Sequence, residues 1–167
     1  MQDCVFVVTG AGDGIGRQVA LELLRQGARV AGVGRTAERL RQTAGMSSNP
    51  HGMSVHVADI SDRGRVDLLV SEIKSEHGHI DGLLNVAGVI QPFEPVATLD
   101  ARSVDHMVQV NLLGALHMVQ AFLPSLMSRP EAAVVTVSSM GALVPVPGQG
   151  VYGASKAAAG FLTAALH

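Results

Sequence analysis

Two residues near the end of the chain could carry proton chemistry. The stretch VYGASKAAAG, residues 151–160, holds Tyr152, the only tyrosine among 167 residues, and Lys156 four positions later. Residues at i and i+4 share a helix face, so phenol and ammonium can enter one site. A free tyrosine has a pKa of about 10, too high for easy proton exchange at neutral pH. A neighbouring ammonium favours the phenolate, and general acid–base catalysis needs a pKa near the working pH. The surrounding alanine, glycine and serine supply no other charge.

A second constellation lies near the start. TGAGDGIG, residues 9–16, follows the apolar run CVFVVT and opens a helical pattern. Strand, glycine loop and helix in that order make a phosphate cradle. Gly10 permits a tight turn, Gly14 lets the backbone approach a pyrophosphate, and Gly16 allows close helix–sheet packing. The helix N-terminus offers free N–H groups and partial positive charge. Three residues separate Gly10 from Gly14, where the general dinucleotide fingerprint has one.

The elements that must position these groups alternate along the chain. CVFVVT, ARVAGVG, MSVHVAD, DGLLNVAG and AAVVTVSS read as five strands. IGRQVALELLRQG, AERLRQT and RGRVDLLVSEIKSEHG read as helices between them, with apolar faces such as Val19, Ala20, Leu23, Leu24 and Val66, Leu69, Val70, Ile73. Residues 100–128 form a long helical stretch, in two pieces or kinked, and YGASKAAAGFLTAALH starts another helix. Near-continuous apolar strands alternating with helices predict an α/β fold: a doubly wound (Rossmann) parallel sheet covered on both faces. Crossovers should be right-handed. Residues 1–167 read as one dinucleotide-binding domain, and VPVPGQG is a loop within it.

Composition narrows the function. The net charge is −2 and the basic residues are scattered, which argues against nucleic acid as a partner. Cys4 is the only cysteine, so no intrachain disulfide forms; it reads as a small buried hydrophobe, in keeping with a reducing compartment. No signal peptide or transmembrane helix is apparent, and a soluble cytoplasmic protein is the default. The 7 histidines show no metal-ligand pattern. His77 and His79 read as a solvated helix-to-strand turn, and no metal site is expected.

Taken together, these segments resemble the short-chain dehydrogenase/reductase family in its single-domain branch. TGAGDGIG looks like its TGxxxGxG motif and YGASK its YxxxK. NVAG, residues 85–88, is similar to NNAG with Val86 in place of the second asparagine. Ser139 stands thirteen residues before Tyr152, Asn111 matches the asparagine of the long helix, and Asp59 the acid that contacts adenine. The resemblance implies catalytic roles for Asn111, Ser139, Tyr152 and Lys156. Tyr152 would exchange a proton with the substrate oxygen while hydride passes to or from its carbon. Lys156 would tune Tyr152 and hold the nicotinamide ribose, Ser139 would polarise the oxygen, and Asn111 would hold a water leading to solvent. The cofactor would be held by Gly10, Asp13, Gly14, Ile15, Gly16, Arg35, Thr36, Asp59, Ile60, Asn85, Ala87 and Gly88, with Tyr152 and Lys156. The resulting expectation is hydride transfer between NADP(H) and a carbonyl or secondary alcohol.

The end of the second strand bears on the cofactor. Gly34 stands where NAD-preferring relatives carry Asp; Arg35 and Thr36 follow and suit a 2′-phosphate, favouring NADP(H) and leaving NAD(H) open. Asp13 argues the other way unless it caps the helix. The family pattern continues past His167 with a sixth strand and substrate-binding segments, so a longer parent chain is expected. A non-catalytic NAD(P)-binding or interaction module is the competing reading, and a sugar-nucleotide epimerase is disfavoured by the glycine spacing. Relatives associate through the Asn111 and Tyr152 helices, which implies a homodimer or homotetramer acting on a small carbonyl or alcohol.

Overall fold

The structure, a computed structural model, describes residues 1–166. Five parallel strands form one sheet: β1 Val5–Thr9, β2 Arg29–Gly34, β3 Met53–Val57, β4 Gly82–Asn85 and β5 Ala133–Thr136, in the order β3-β2-β1-β4-β5. Helices α1 Gly14–Arg25, α2 Ala37–Gly45 and α3 Arg63–His77 link the first four strands. The expected doubly wound Rossmann architecture is present. Central β1 pairs on both sides, with Val7 opposite Ala31 and opposite Leu83.

The pleat sorts the core into two layers. Val7, Ala31, Val33 and Leu83 meet Leu69 and Ile73 of α3 and Met118 and Phe122 of the long helix on one face. Val8 and Val30 meet Ala20, Leu23 and Leu24 of α1 and Leu40 of α2 on the other. Full burial of each valine, leucine, isoleucine, methionine or phenylalanine among them contributes about 1.5–3 kcal/mol. Val70, expected with the α3 stripe, is only partly buried.

The long helical stretch is continuous and contains a widened turn. α4 Ala101–Val108 runs into a π-helical segment, Gln109–Gly114, and then into α5 Ala115–Met127. The cause lies in the side chains at the turn. Asn111 reaches out of the helix to another backbone, and a Cβ on Gly114 would stand 2.7 Å from Ile60 Cγ1. By length and composition Ala101–Met127 would pass for a membrane span, with mean hydropathy 1.4. Its buried face instead fills the core through Val110, Met118, Val119, Phe122 and Leu126.

Strands β4 and β5 end earlier than the apolar runs suggest. After Asn85 the chain turns away because Thr9 Oγ1 accepts from Val86 N at 2.9 Å and Ala87 N at 3.1 Å. Val137 N still donates to Asn85 O, and the following serines leave the sheet. Cys4 precedes β1 and is only partly buried. The last helix, α6 Gly150–Ala164, begins two residues before Tyr152 and packs on α4 and the π segment.

Candidate active site

The glycine loop closes β1 as the sequence predicts. Gly10 takes φ +70°, and its N–H donates to Val33 O at 2.8 Å. A Cβ on Gly16 would fall 2.3 Å from Gly10 O, so only glycine lets the first turn of α1 fold onto the loop. Arg17 and Thr43 hold the loop from behind. Arg17 Nη2 donates to Gly12 O at 2.6 Å, and Thr43 Oγ1 donates to Ala11 O at 2.9 Å. Asp13 is the N-cap of α1: its Oδ1 accepts from Gly14 N at 2.8 Å, and its Oδ2 pairs with Arg39 Nη1 at 3.2 Å.

A cleft of about 410 Å³ opens above the carboxyl ends of the central strands. Among the sequence-predicted residues it is lined by Gly10, Asp13, Gly14, Ile15, Gly16, Arg35, Asp59, Ile60, Ala87 and Gly88. Burial works against the charged form of Asp59, but hydrogen bonds from Ser61 Oγ and Ser61 N, with Arg35 and His106 near, hold its carboxyl below the usual range. Of the residues expected to hold the cofactor, Thr36, Asn85, Tyr152 and Lys156 stand outside the lining. Thr36 is exposed at the start of α2 without a side-chain capping bond. Asn85 is buried beneath the cleft floor, its Nδ2 3.5 Å from Ala115 O and its Oδ1 without a partner.

Lys156 comes up to this cleft at Gly88. Lys156 is 5% exposed, and its Nζ donates to Val137 O at 2.9 Å. A Cβ on Gly88 would lie 3.0 Å from that Nζ and 3.2 Å from Asn111 Oδ1. Burial pushes the Lys156 ammonium below its ordinary lysine value. It is a desolvated cation, not a solvated surface charge. One turn earlier, Tyr152 is half-buried. Ser139 Oγ accepts from Gly141 N at 3.2 Å, which leaves the hydroxyl proton free to donate. A Cβ on Gly141 would stand 3.6 Å from Ser139 Oγ and 3.9 Å from Tyr152 Cδ1, so hydroxyl and ring flank the same point.

Asn111 satisfies backbone groups at the widened turn. Its Oδ1 accepts from Val89 N at 2.8 Å, and its Nδ2 donates to Val89 O at 2.9 Å and Ser155 Oγ at 3.0 Å. The amide therefore brackets the segment carrying Gly88 and ties it to α6. Held this way, the side chain keeps one acceptor lone pair on Oδ1 beyond these bonds.

Several contributors escaped the sequence reading. Arg39 lines the cleft four residues after Arg35, a helical spacing that could have flagged it. Thr9 anchors the 86–87 turn. Gln91 Nε2 donates to Gly148 O at 3.2 Å, and Gln149 Nε2 to Gln91 O at 3.3 Å, clamping the two loops that flank Tyr152. His77 is no solvated turn: it ends α3, half-buried, against Ser54.

A parallel sheet with a glycine-loop cleft at its switch point defines a dinucleotide-binding α/β protein. The family model described as short chain dehydrogenase matches residues 4–167. An uncharacterized oxidoreductase of Staphylococcus epidermidis is 33% identical over 166 residues, covering 99% of this chain and 71% of the relative. The chain belongs to the short-chain dehydrogenase family. A solved metagenomic short-chain oxidoreductase in complex with NADP superposes with TM-score 0.87 at 29% identity, over 97% of this chain and 74% of that one. A 3-ketoacyl-(acyl-carrier-protein) reductase from Brucella melitensis, complexed with NADH, gives 0.93 at 29%, over 99% and 68%. Against levodione reductase the chain spans 64% of the solved length.

Proposed function

We propose that the protein interconverts a carbonyl compound and its secondary alcohol, with NADP(H) as cofactor. The observation that carries the reading is Lys156: a buried cation one turn from the only tyrosine, touching the glycine that borders the nucleotide cleft. The cleft's shape suits a dinucleotide. It is lined by Gly10, Gly14 and Gly16, which carry no side chains, and by Asp59 and Ile60.

When bound, the nicotinamide supplies or receives the hydride. The chain's own residues handle the proton. In reduction, Tyr152 gives its hydroxyl proton to the carbonyl oxygen as that oxygen gains charge, and Ser139 Oγ donates a hydrogen bond to the same oxygen. The Lys156 ammonium stabilises the phenolate left behind until a proton returns from solvent. Asn111, Thr9 and Gly88 place the cleft wall against these groups. In oxidation the phenolate takes the alcohol proton.

Three features support NADP(H) over NAD(H). Gly34 offers no acid to a ribose hydroxyl, while Arg35 and Arg39 both line that end of the cleft. Arg39 also partners Asp13, which removes the objection that a free carboxylate would repel a 2′-phosphate. Known relatives are bound to either form, so the preference rests on these residues. A homodimer or homotetramer through α4, α5 and α6 completes the proposal, and one free cysteine suits the cytoplasm. The non-catalytic alternative gives no reason to bury Lys156 there.

Oxidation of NADPH by the purified protein, across a panel of ketones, tests the assignment. Wild type should turn over at least one ketone. Tyr152→Phe should lose about 10²–10⁴-fold in kcat while still binding NADPH. Equal rates would remove the role of Tyr152; binding without turnover in wild type would favour the non-catalytic reading.

A further inference from the structure

The edge of the sheet away from the cleft gathers a second set of chemical groups. On β3, Ser54 and His56 point to the same face, toward the last turns of α3, which carry Glu72, Glu76 and His77. Nitrogens of His56 and His77 and a carboxylate oxygen of Glu76 all lie within 4.8 Å of one another. His56 is 6% exposed, and its Nε2 stands 3.7 Å from Glu76 Oε2. Ser54 Oγ sits between the rings, 2.7 Å from His56 Nε2 and 2.7 Å from His77 Nε2. None of these residues lines the nucleotide cleft.

We propose that His56, His77 and Glu76 form a zinc site that fastens the edge strand β3 to the end of α3. Two imidazoles and one carboxylate are a ligand set suited to zinc, whereas magnesium and calcium seek oxygen. The alternative is a hydrogen-bonded pair bridged by Ser54. A serine hydroxyl has one proton, so only one ring can accept it, and the other must present an N–H. With zinc bound, both rings carry their proton on Nδ1 and turn Nε2 lone pairs to the ion. This is a tautomer change with no net proton uptake.

Neighbouring groups are arranged for that state. His56 Nδ1 faces Glu72 Oε2 at 3.8 Å, and Glu72 is held by Arg65 through bonds of 2.8 and 2.9 Å. A carboxylate behind a ligating imidazole fixes its tautomer and strengthens it as a ligand. Zinc bonds of about 2.0–2.2 Å put tetrahedral ligands about 3.4 Å apart. The set must therefore contract by roughly an ångström, which side-chain rotation of Glu76 and His77 at the helix end provides. Ser54 Oγ or a water takes the fourth position.

The test is titration of the purified protein with zinc chloride, with magnesium chloride as control, followed by thermal unfolding and by calorimetric stoichiometry. One zinc per chain should bind and raise Tm with concentration, while magnesium leaves it unchanged. His77→Gln, at a half-buried helix end, should abolish the effect; Glu72→Gln should weaken binding about tenfold or more. His79→Gln should leave it intact. Cobalt in place of zinc should give the strong visible absorption of four-coordinate nitrogen and oxygen ligation. His56→Ala, buried in the strand, is not required for the decision. No stabilisation of wild type by zinc, an undiminished effect in His77→Gln, or a pale six-coordinate cobalt spectrum would each overturn the site.

Discussion

Lys156 is a cation in a place that disfavours one, held by a single backbone carbonyl. Its folded pKa lies below the unfolded value, so the unfolded chain binds more protons between the two. The contribution of Lys156 to stability therefore improves as pH rises through that window toward about 10.4, and worsens as pH falls through it. Lys156→Met removes the titrating group. The difference in Tm between wild type and Lys156→Met should shift in favour of wild type from pH 7 to pH 10, while the variant loses at least about 10²-fold in turnover. A pH-independent difference would mean the ammonium is solvated. At the other end of the cleft, Arg35→Ala should raise KM for NADPH by about tenfold to a hundredfold, the worth of a charge-assisted hydrogen bond, and leave KM for NADH nearly unchanged. Parallel titrations with both cofactors decide it. Tyr152 and Lys156 were readable because their relation is local, one helical turn. The Arg39–Asp13 pair spans 26 residues and the Thr9–Val86 bond 77, and no local periodicity reports such distances.

Strand and helix identities followed from apolar periodicity, which burial enforces over many residues at once. The ends of elements did not, because they are settled by single hydrogen bonds from elsewhere. Thr9 draws the chain off β4, and Asn111 draws the long helix into a π turn. That turn is a positioning device: it releases the Asn111 amide to bracket Val89, and so sets Gly88 against Lys156. Asn111→Ala leaves the Val89 N–H and C=O without these partners in a half-buried setting. The expected loss is about 2–4 kcal/mol in urea unfolding, from two unsatisfied groups at about 1–3 kcal/mol each less what water regains. Faster hydrogen exchange at the Val89 amide should accompany it. Unchanged exchange there would show that the bracket is not what holds the cleft wall.

At the scale of the molecule, the parallel sheet covered on both faces was legible because βαβ crossovers and continuous apolar strands leave few topologies. What remained open was which apolar residues the fold would leave outside. The apolar run AAAGFLTAAL, residues 157–166, is divided by α6: Ala159 is buried, while Phe161 is 79% exposed. Met127, at the end of α5, is exposed as well. A large aromatic standing out from a helix of small residues is poorly placed in water and well placed in a two-fold interface, where each copy meets the same face of the other. Phe161→Glu puts a charge at the centre of that contact and touches nothing in the cleft. On the proposed association, light scattering after gel filtration should show wild type at a larger mass than the variant, with NADPH binding per chain retained. A variant that keeps the wild-type mass would place the association elsewhere, and one that loses cofactor binding would show that α6 packing, rather than association, had been disturbed.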